Sequence, residues 1–251
     1  MQTWAAAGLW GLLGGGALVL GAGVAWTVRV PPKVIATVMA FGAGVLVSAL
    51  AFELVADAAE TGGLAATAIG FLAGAVLYTV ANVALARHGA RHRKRSGPQQ
   101  PSESQASGSG AAIAIGALLD GVPESVVLGV GLLEGGSVSL GVLAAVFISN
   151  VPEGLSSAAG MKRAGRSASY VFGVWGTIAV VSGLSALGGY VALSGVPPTV
   201  IAVITAVAAG AVLAMIADTM IPEAFERAHL LTGLVTTVGF LIAFAIHRLG
   251  G

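Results

Sequence analysis

The chain contains no cysteine, which excludes disulfides, thiolate metal sites and thiol catalysis. Charge is scarce: Asp, Glu, Lys and Arg make up 9% of 251 residues, against about a quarter in soluble domains. Aromatics reach only 6%, and the net charge of +1 gives no basic field for nucleic acid, so no such partner is expected. What is abundant is apolar. Hydrophobic residues make up 56% of the chain, mean hydropathy is +0.93, and 38 glycines recur without a collagen period. Small residues of this kind let helices pack closely in lipid. These proportions exclude an ordinary water-soluble domain and predict an all-α polytopic membrane protein, one membrane domain over 1–251.

A span needs about 20 mostly apolar residues. Eight segments qualify: Trp4–Val28, Val34–Asp57, Gly63–Ala86, Ala111–Glu134, Ser137–Gly160, Tyr170–Leu193, Thr199–Ile221 and Leu230–Ile246. The first lacks a basic leader and is expected to be a retained helix. Eleven of the twelve Lys and Arg residues then fall in the loops after odd-numbered spans, and only Arg248 falls on the other side. The positive-inside rule places those loops in the cytoplasm of a plasma-membrane protein and both termini outside. Trp4, Trp10, Trp26 and Tyr170 suit interfacial anchors, and Glu60 and Glu134 suit the outer interface.

Residues 88–110 are basic and then rich in Ser, Gln, Gly and Pro, so a flexible cytoplasmic loop is expected there. His88 and His92 stand four apart within it and could together take a metal. A solvated basic run drawn to anionic lipid is the plainer reading.

Spans 2 and 7 resemble each other. Ala43–Ala58 aligns with Ala209–Ala224, so that Gly44 meets Gly210 and Asp57 meets Glu223. The two spans run in opposite directions, as in the inverted repeats of transporters.

No Lys, Arg or His falls inside an expected span, and the ionisable groups expected to be buried there are all acids: Glu53, Asp57, Asp120, Glu124, Glu153 and Asp218. Each is costly at bilayer depth, at least about 2.5 kcal/mol, and marks a functional site by default. Without a basic partner in the membrane, an external cation or a proton is their expected counter-ion. Spans 4 and 5 carry related hexamers, Asp120-Gly-Val-Pro-Glu124-Ser125 and Ser149-Asn-Val-Pro-Glu153-Gly154. Asp120 and Glu124 share one helix face, as do Ser149 and Glu153, with Asn150 nearby. Pro123 and Pro152 free the carbonyls of Leu119 and Ile148 one turn earlier. At 1.5 Å per residue, Asp120 lies about 14 Å and Ser149 about 17 Å from the span ends, near the midplane. Carboxylates, an amide and carbonyls together suit a hard divalent cation. Ser125, Ser156 and Ser157 need be no more than polar contacts between helices.

At these residues the chain resembles the ZIP (Zrt/Irt-like) metal permeases, over nearly its whole length. The family pattern is His-Asn-x-Pro-Glu-Gly in both helices. Span 5 keeps four of its five specified positions at 149–154, with Ser149 for His. Span 4 keeps Pro123 and Glu124, with Asp120 and Gly121 replacing His and Asn. The family's span-6 glutamate is also missing, and Ser185 is its nearest equivalent. The resemblance implies a homodimer that admits divalent metal of the Zn²⁺, Mn²⁺ or Fe²⁺ class to the cytoplasm as substrate, with no cofactor and no enzymatic activity. It implies ligands at Asp120, Glu124, Asn150 and Glu153, then Ser149 and Ser185. Glu53, Asp57, Asp218 and Glu223 become candidate pathway groups. Loss of both imidazoles should narrow the preference for zinc. Two other readings stand beside this one: a metal-sensing relative that does not transport, and an intramembrane aspartyl protease, for which the usual Gly-x-Gly-Asp pattern is missing around Asp120.

Overall fold

A computed structural model describes residues 3–135 and 140–250. Met1, Gly251 and Ser137 lie outside them, as does the side chain of Glu134. The regular secondary structure of the described residues is all helical, with eight helices long and apolar enough to cross a membrane. They are α1 (Thr3–Thr27), α2 (Pro32–Gly62), α3 (Leu64–Ala86), α4 (Ser109–Gly135), α5 (Leu140–Arg163), α6 (Ala168–Leu193), α7 (Pro198–Ala228) and α8 (Leu231–Gly250).

Local signals explain the boundaries. Proline pairs open α2 and α7: Pro31 and Pro197 are extended at φ −60° and −55°, and Pro32 and Pro198 occupy the first helical position. Proline suits that position because its missing N–H would find no partner there. Ser167 caps α6, its hydroxyl accepting from the Tyr170 N–H. Gly63 breaks between α2 and α3 at φ +79°, a conformation that costs glycine nothing.

α2 and α7 run past the ends expected at Asp57 and Ile221, and for the same reason. Each is 31 residues long and contains a π-helical turn, Leu50–Val55 in α2 and Ile216–Met220 in α7. The helix absorbs the extra residue there and continues. In α7 this carries Glu223 and Glu226 into helix despite Pro222, which lies at the start of the regained α-helical turn.

α2, α4, α5 and α7 are the most buried helices, and Met39, Leu46, Ala145, Val212, Met215 and Met220 form the largest apolar cluster. A second cluster joins α1, α4, α5 and α6 through Leu18, Ile113, Leu155, Trp175 and Ile178. α3 and α8 are peripheral and leave most of their apolar side chains uncovered. α3 packs on α7 and α8 on α2 at backbone distance. A Cβ on Gly44 would strike the Thr236 carbonyl, and one on Gly210 would strike the Phe71 carbonyl.

The segment after α3 departs from expectation. Instead of a solvated basic run, it folds back into the helix bundle. Gly89 turns the chain at φ +100°, a short 3₁₀ turn spans Ala90–His92, and Arg93, Lys94, Ser96 and Gln100 are all buried. Its second half is pinned by Glu103, which accepts from the N–H groups of Gly108 and Gly110 and pairs with Arg166 at 2.6 Å. The Arg166 hydrogen bond and those two amides hold the Glu103 carboxyl below the ordinary carboxylate range.

Candidate functional site

The two hexamers meet where α4 and α5 face each other. Asp120, Glu124, Asn150 and Glu153 are all buried, at 3–4% exposure. Both prolines lie inside unbroken helices. Ser149 is fully buried and donates to the Val146 carbonyl of its own helix at 3.0 Å. Asn150 donates its amide N–H to the Gly14 carbonyl of α1 at 2.9 Å, which fixes the side chain by its nitrogen and leaves its oxygen as the potential ligand atom. A Cβ on Gly154 would strike the Leu18 carbonyl, so the α5 motif is clamped against α1.

The absence of basic partners for these acids does not hold. Arg93 reaches Asp120 with two parallel hydrogen bonds, Nε to Oδ2 at 2.9 Å and Nη2 to Oδ1 at 2.7 Å. Nη2 also donates to the Tyr78 hydroxyl and Nη1 to Asn82 Oδ1, each at 2.8 Å, while Tyr78 donates to Asp120 at 2.7 Å. Burial works against the charge on Arg93, but the adjacent Asp120 carboxylate pushes its pKa above the ordinary value. Lys94 Nζ lies 2.6 Å from Glu153 Oε2 and 3.4 Å from Asp120 Oδ2. These two cations stand seven and eight residues beyond the end of α3 at Ala86, and reach the acids only because the loop folds inward.

Glu124 differs from its neighbours. Both of its carboxylate oxygens are buried without a hydrogen-bond partner, and so is Glu153 Oε1. Such groups are uncommon in native proteins and call for an ion, a proton or a water. Glu124 opens onto an apolar recess lined by Leu46, Leu50, Val127, Val142 and Val212. Among the described residues no cluster of three His, Asp or Glu side chains is ready-made for a metal. Lys94 stands between Asp120 and Glu153 instead.

The other candidates separate. Asp218 is exposed on α7 and accepts from Asn82 Nδ2 at 3.3 Å, so Asn82 links it to Arg93. Glu223 is 2% exposed and accepts from the Ser96 N–H at 2.9 Å, the Ser96 hydroxyl at 2.6 Å and the Ser156 hydroxyl at 3.0 Å. Arg95 stands 3.6 Å from Glu223 and 2.5 Å from Glu226. Glu53 is buried and lies 3.6 Å from Nδ1 of His247, while Asp57 is exposed. His247 sits in the last turns of α8, one residue past the end expected for that span at Ile246.

Ser185 is only half-buried, whereas Ser182 is buried and is the α6 hydroxyl nearest Gly121 of α4. His88 and His92 do not share a helix face, because Gly89 ends the helical path between them. His88 Nδ1 is engaged with the Ala84 carbonyl at 2.9 Å. His92 is half-buried, and its burial together with Arg95 and Arg91 lowers its pKa.

The fold and this centre define a class: a multi-pass helical membrane protein with buried carboxylates on α4 and α5. Compared with known families and curated proteins, the chain matches no family model and no curated relative.

Proposed function

We propose that this protein carries divalent metal cations across the membrane, as a ZIP-like permease with an oxygen-based site on α4 and α5. The observation that carries the reading is the buried Glu124 carboxylate, both oxygens unpartnered, next to the similarly free Glu153 Oε1. Unpartnered buried carboxylate oxygens of this kind call for a cation or a proton. Asp120, Glu124, Glu153 and the Asn150 oxygen form the donor set, and Glu53 and Asp57 at one end with Asp218 and Glu223 at the other mark the pathway. Ser149 has turned to its own helix and Ser185 away from full burial, so both are secondary.

An inverted repeat relating α1–α3 to α6–α8 belongs to the same reading. It is supported by the proline pairs at 31–32 and 197–198, the π turns starting at Leu50 and Ile216, and the matching contacts of Gly44 and Gly210, all in one register. We place the α3–α4 loop in the cytoplasm, both termini outside, in a plasma-membrane homodimer. An oxygen-only donor set favours broad uptake of Mn²⁺, Fe²⁺ and Zn²⁺ over strict zinc selectivity.

Uptake into proteoliposomes across a panel of divalent ions tests the proposal. Wild-type protein should accumulate several ions, and the Glu124→Ala, Glu153→Ala double variant should be inserted but inert. Undiminished uptake by that variant would place the pathway elsewhere. A non-transporting relative is the second reading, and Lys94 favours it, since its ammonium already pairs with Glu153 Oε2. Uptake of no ion would leave that reading standing.

A further inference from the structure

Lys94 stands where a cation held between α4 and α5 would have to sit. Its ammonium bridges Glu153 Oε2 at 2.6 Å and Asp120 Oδ2 at 3.4 Å, and the residue is 5% exposed. The cavity beside it, bordered by Asp120, Asn150 and Glu153, has about 10 Å³ left, the lower limit for one water. The ammonium already covers the Glu153 and Asp120 oxygens that an ion would need, and its charge repels an arriving dication.

The two basic residues are held very differently. Arg93 is fixed by Asp120, Tyr78, Asn82 and the Ala90 carbonyl. Lys94 touches the acids as a point charge on a flexible stem. Two residues on, Ser96 is latched to Glu223 by its N–H and its hydroxyl, and Gln100 donates to the Arg93, Arg95 and Ser157 carbonyls. The segment is thus anchored on both sides of one loosely held cation. Tethering gives that cation a high effective concentration at the site, against which any free ion must compete.

Charge supports an exchange. With three ionised carboxyls, Arg93 and Lys94 leave one net negative charge, and replacing Lys94 by a dication while Arg93 stays makes the cluster neutral. Glu124 adds two further carboxylate oxygens that no side chain engages.

We propose that Lys94 is a built-in competitor for the divalent cation, lodged between Asp120 and Glu153 by the folded α3–α4 segment and expelled when the ion binds. The inference rests on the metal reading above and adds the device that controls access to its site.

The chain has only three lysines, and Lys33 and Lys162 are exposed, so they serve as internal standards for Lys94. Detergent-purified full-length protein is treated with a water-soluble acetylating reagent with and without saturating Mn²⁺. Acetylation at each lysine is read by mass spectrometry, and Mn²⁺ binding is measured by equilibrium dialysis. Lys94 should be protected without metal and react at least roughly tenfold faster with it, as when a buried group becomes exposed, while Lys33 and Lys162 are unchanged. The Lys94→Gln variant should bind Mn²⁺ roughly tenfold more tightly or better, because the competing ion pair is gone. Binding of Mn²⁺ with Lys94 still protected would overturn the exchange and leave the metal reading intact. Binding by Lys94→Gln alone, with none by wild type, would overturn expulsion by the ion and leave the metal reading intact. Binding by neither protein would overturn the metal reading and this inference with it.

Discussion

Arg93 grips Asp120 through two parallel hydrogen bonds across 27 positions of sequence, with both side chains at 3% exposure or less. The pair links the α3–α4 segment to the middle of α4 and makes the carboxylate centre part of a larger polar network. Breaking one side of such a pair is worse than removing both, because the remaining charge stays buried.

Arg93→Ala should therefore lower stability by about 3–5 kcal/mol, leaving Asp120 without its main partner. Arg93→Ala combined with Asp120→Ala should recover part of that loss. Thermal unfolding in detergent of the two single variants and the double variant measures the coupling. Strictly additive effects would mean that the pair contributes nothing beyond its separate contacts.

The latch between Ser96 and Glu223 holds the segment on α7. Removing the acceptor with Glu223→Ala should release it and expose Arg93, Lys94 and Arg95 to trypsin. Cleavage after these residues should be slow in the wild-type protein and fast in the variant, as read by mass spectrometry of limited digests. Equal rates would show that the segment opens without breaking the latch.

Glycine at the α2–α8 crossing gives a geometric test. Gly44→Val would drive side-chain carbon into the Thr236 carbonyl, whereas a Cβ at Gly23 meets nothing within 4 Å. The first change should cost at least about 1–3 kcal/mol through overpacking. Gly23→Ala should be neutral or slightly stabilising. The difference in melting temperature between the two variants is the readout.

Glu103 makes the turn over residues 102–110 sensitive to acid. Its folded-state pKa is depressed by Arg166 and by the Gly108 and Gly110 N–H groups. The stabilisation is therefore complete above the usual value of 4.5 and is lost as pH falls through the lower folded value. Hydrogen exchange at the Gly108 and Gly110 amides, compared between wild type and Glu103→Gln, should converge at low pH and diverge above it. Identical exchange at neutral pH would remove Glu103 from the turn.

Orientation can be read from paired cysteines, since the native chain has none. Ser107→Cys, exposed in the α3–α4 loop, should resist an impermeant thiol reagent in intact cells. Ser194→Cys, exposed between α6 and α7, should react with it. The opposite pattern would invert the topology.

Eight helices were legible in the sequence because membrane spans need only length and apolar composition, both local properties. The long forms of α2 and α7 were partly legible: the pairs Pro31-Pro32 and Pro197-Pro198 signal matching starts, but no local pattern announces a π turn. Asp120, Glu124, Asn150 and Glu153 could be grouped because helical spacing and the repeated proline hexamers put them at similar depths. Their surroundings could not. Composition around Arg93 and Lys94 describes a solvated loop, since the energy that buries them comes from Asp120, Glu153, Tyr78 and Asn82 on other elements. The sequence by itself determined which stretches are long and apolar enough to cross a membrane and that Asp120, Glu124 and Glu153 lie on them. Only the tertiary structure decided what neutralises those acids, because a buried charge is stabilised by partners brought together in space, far apart along the chain.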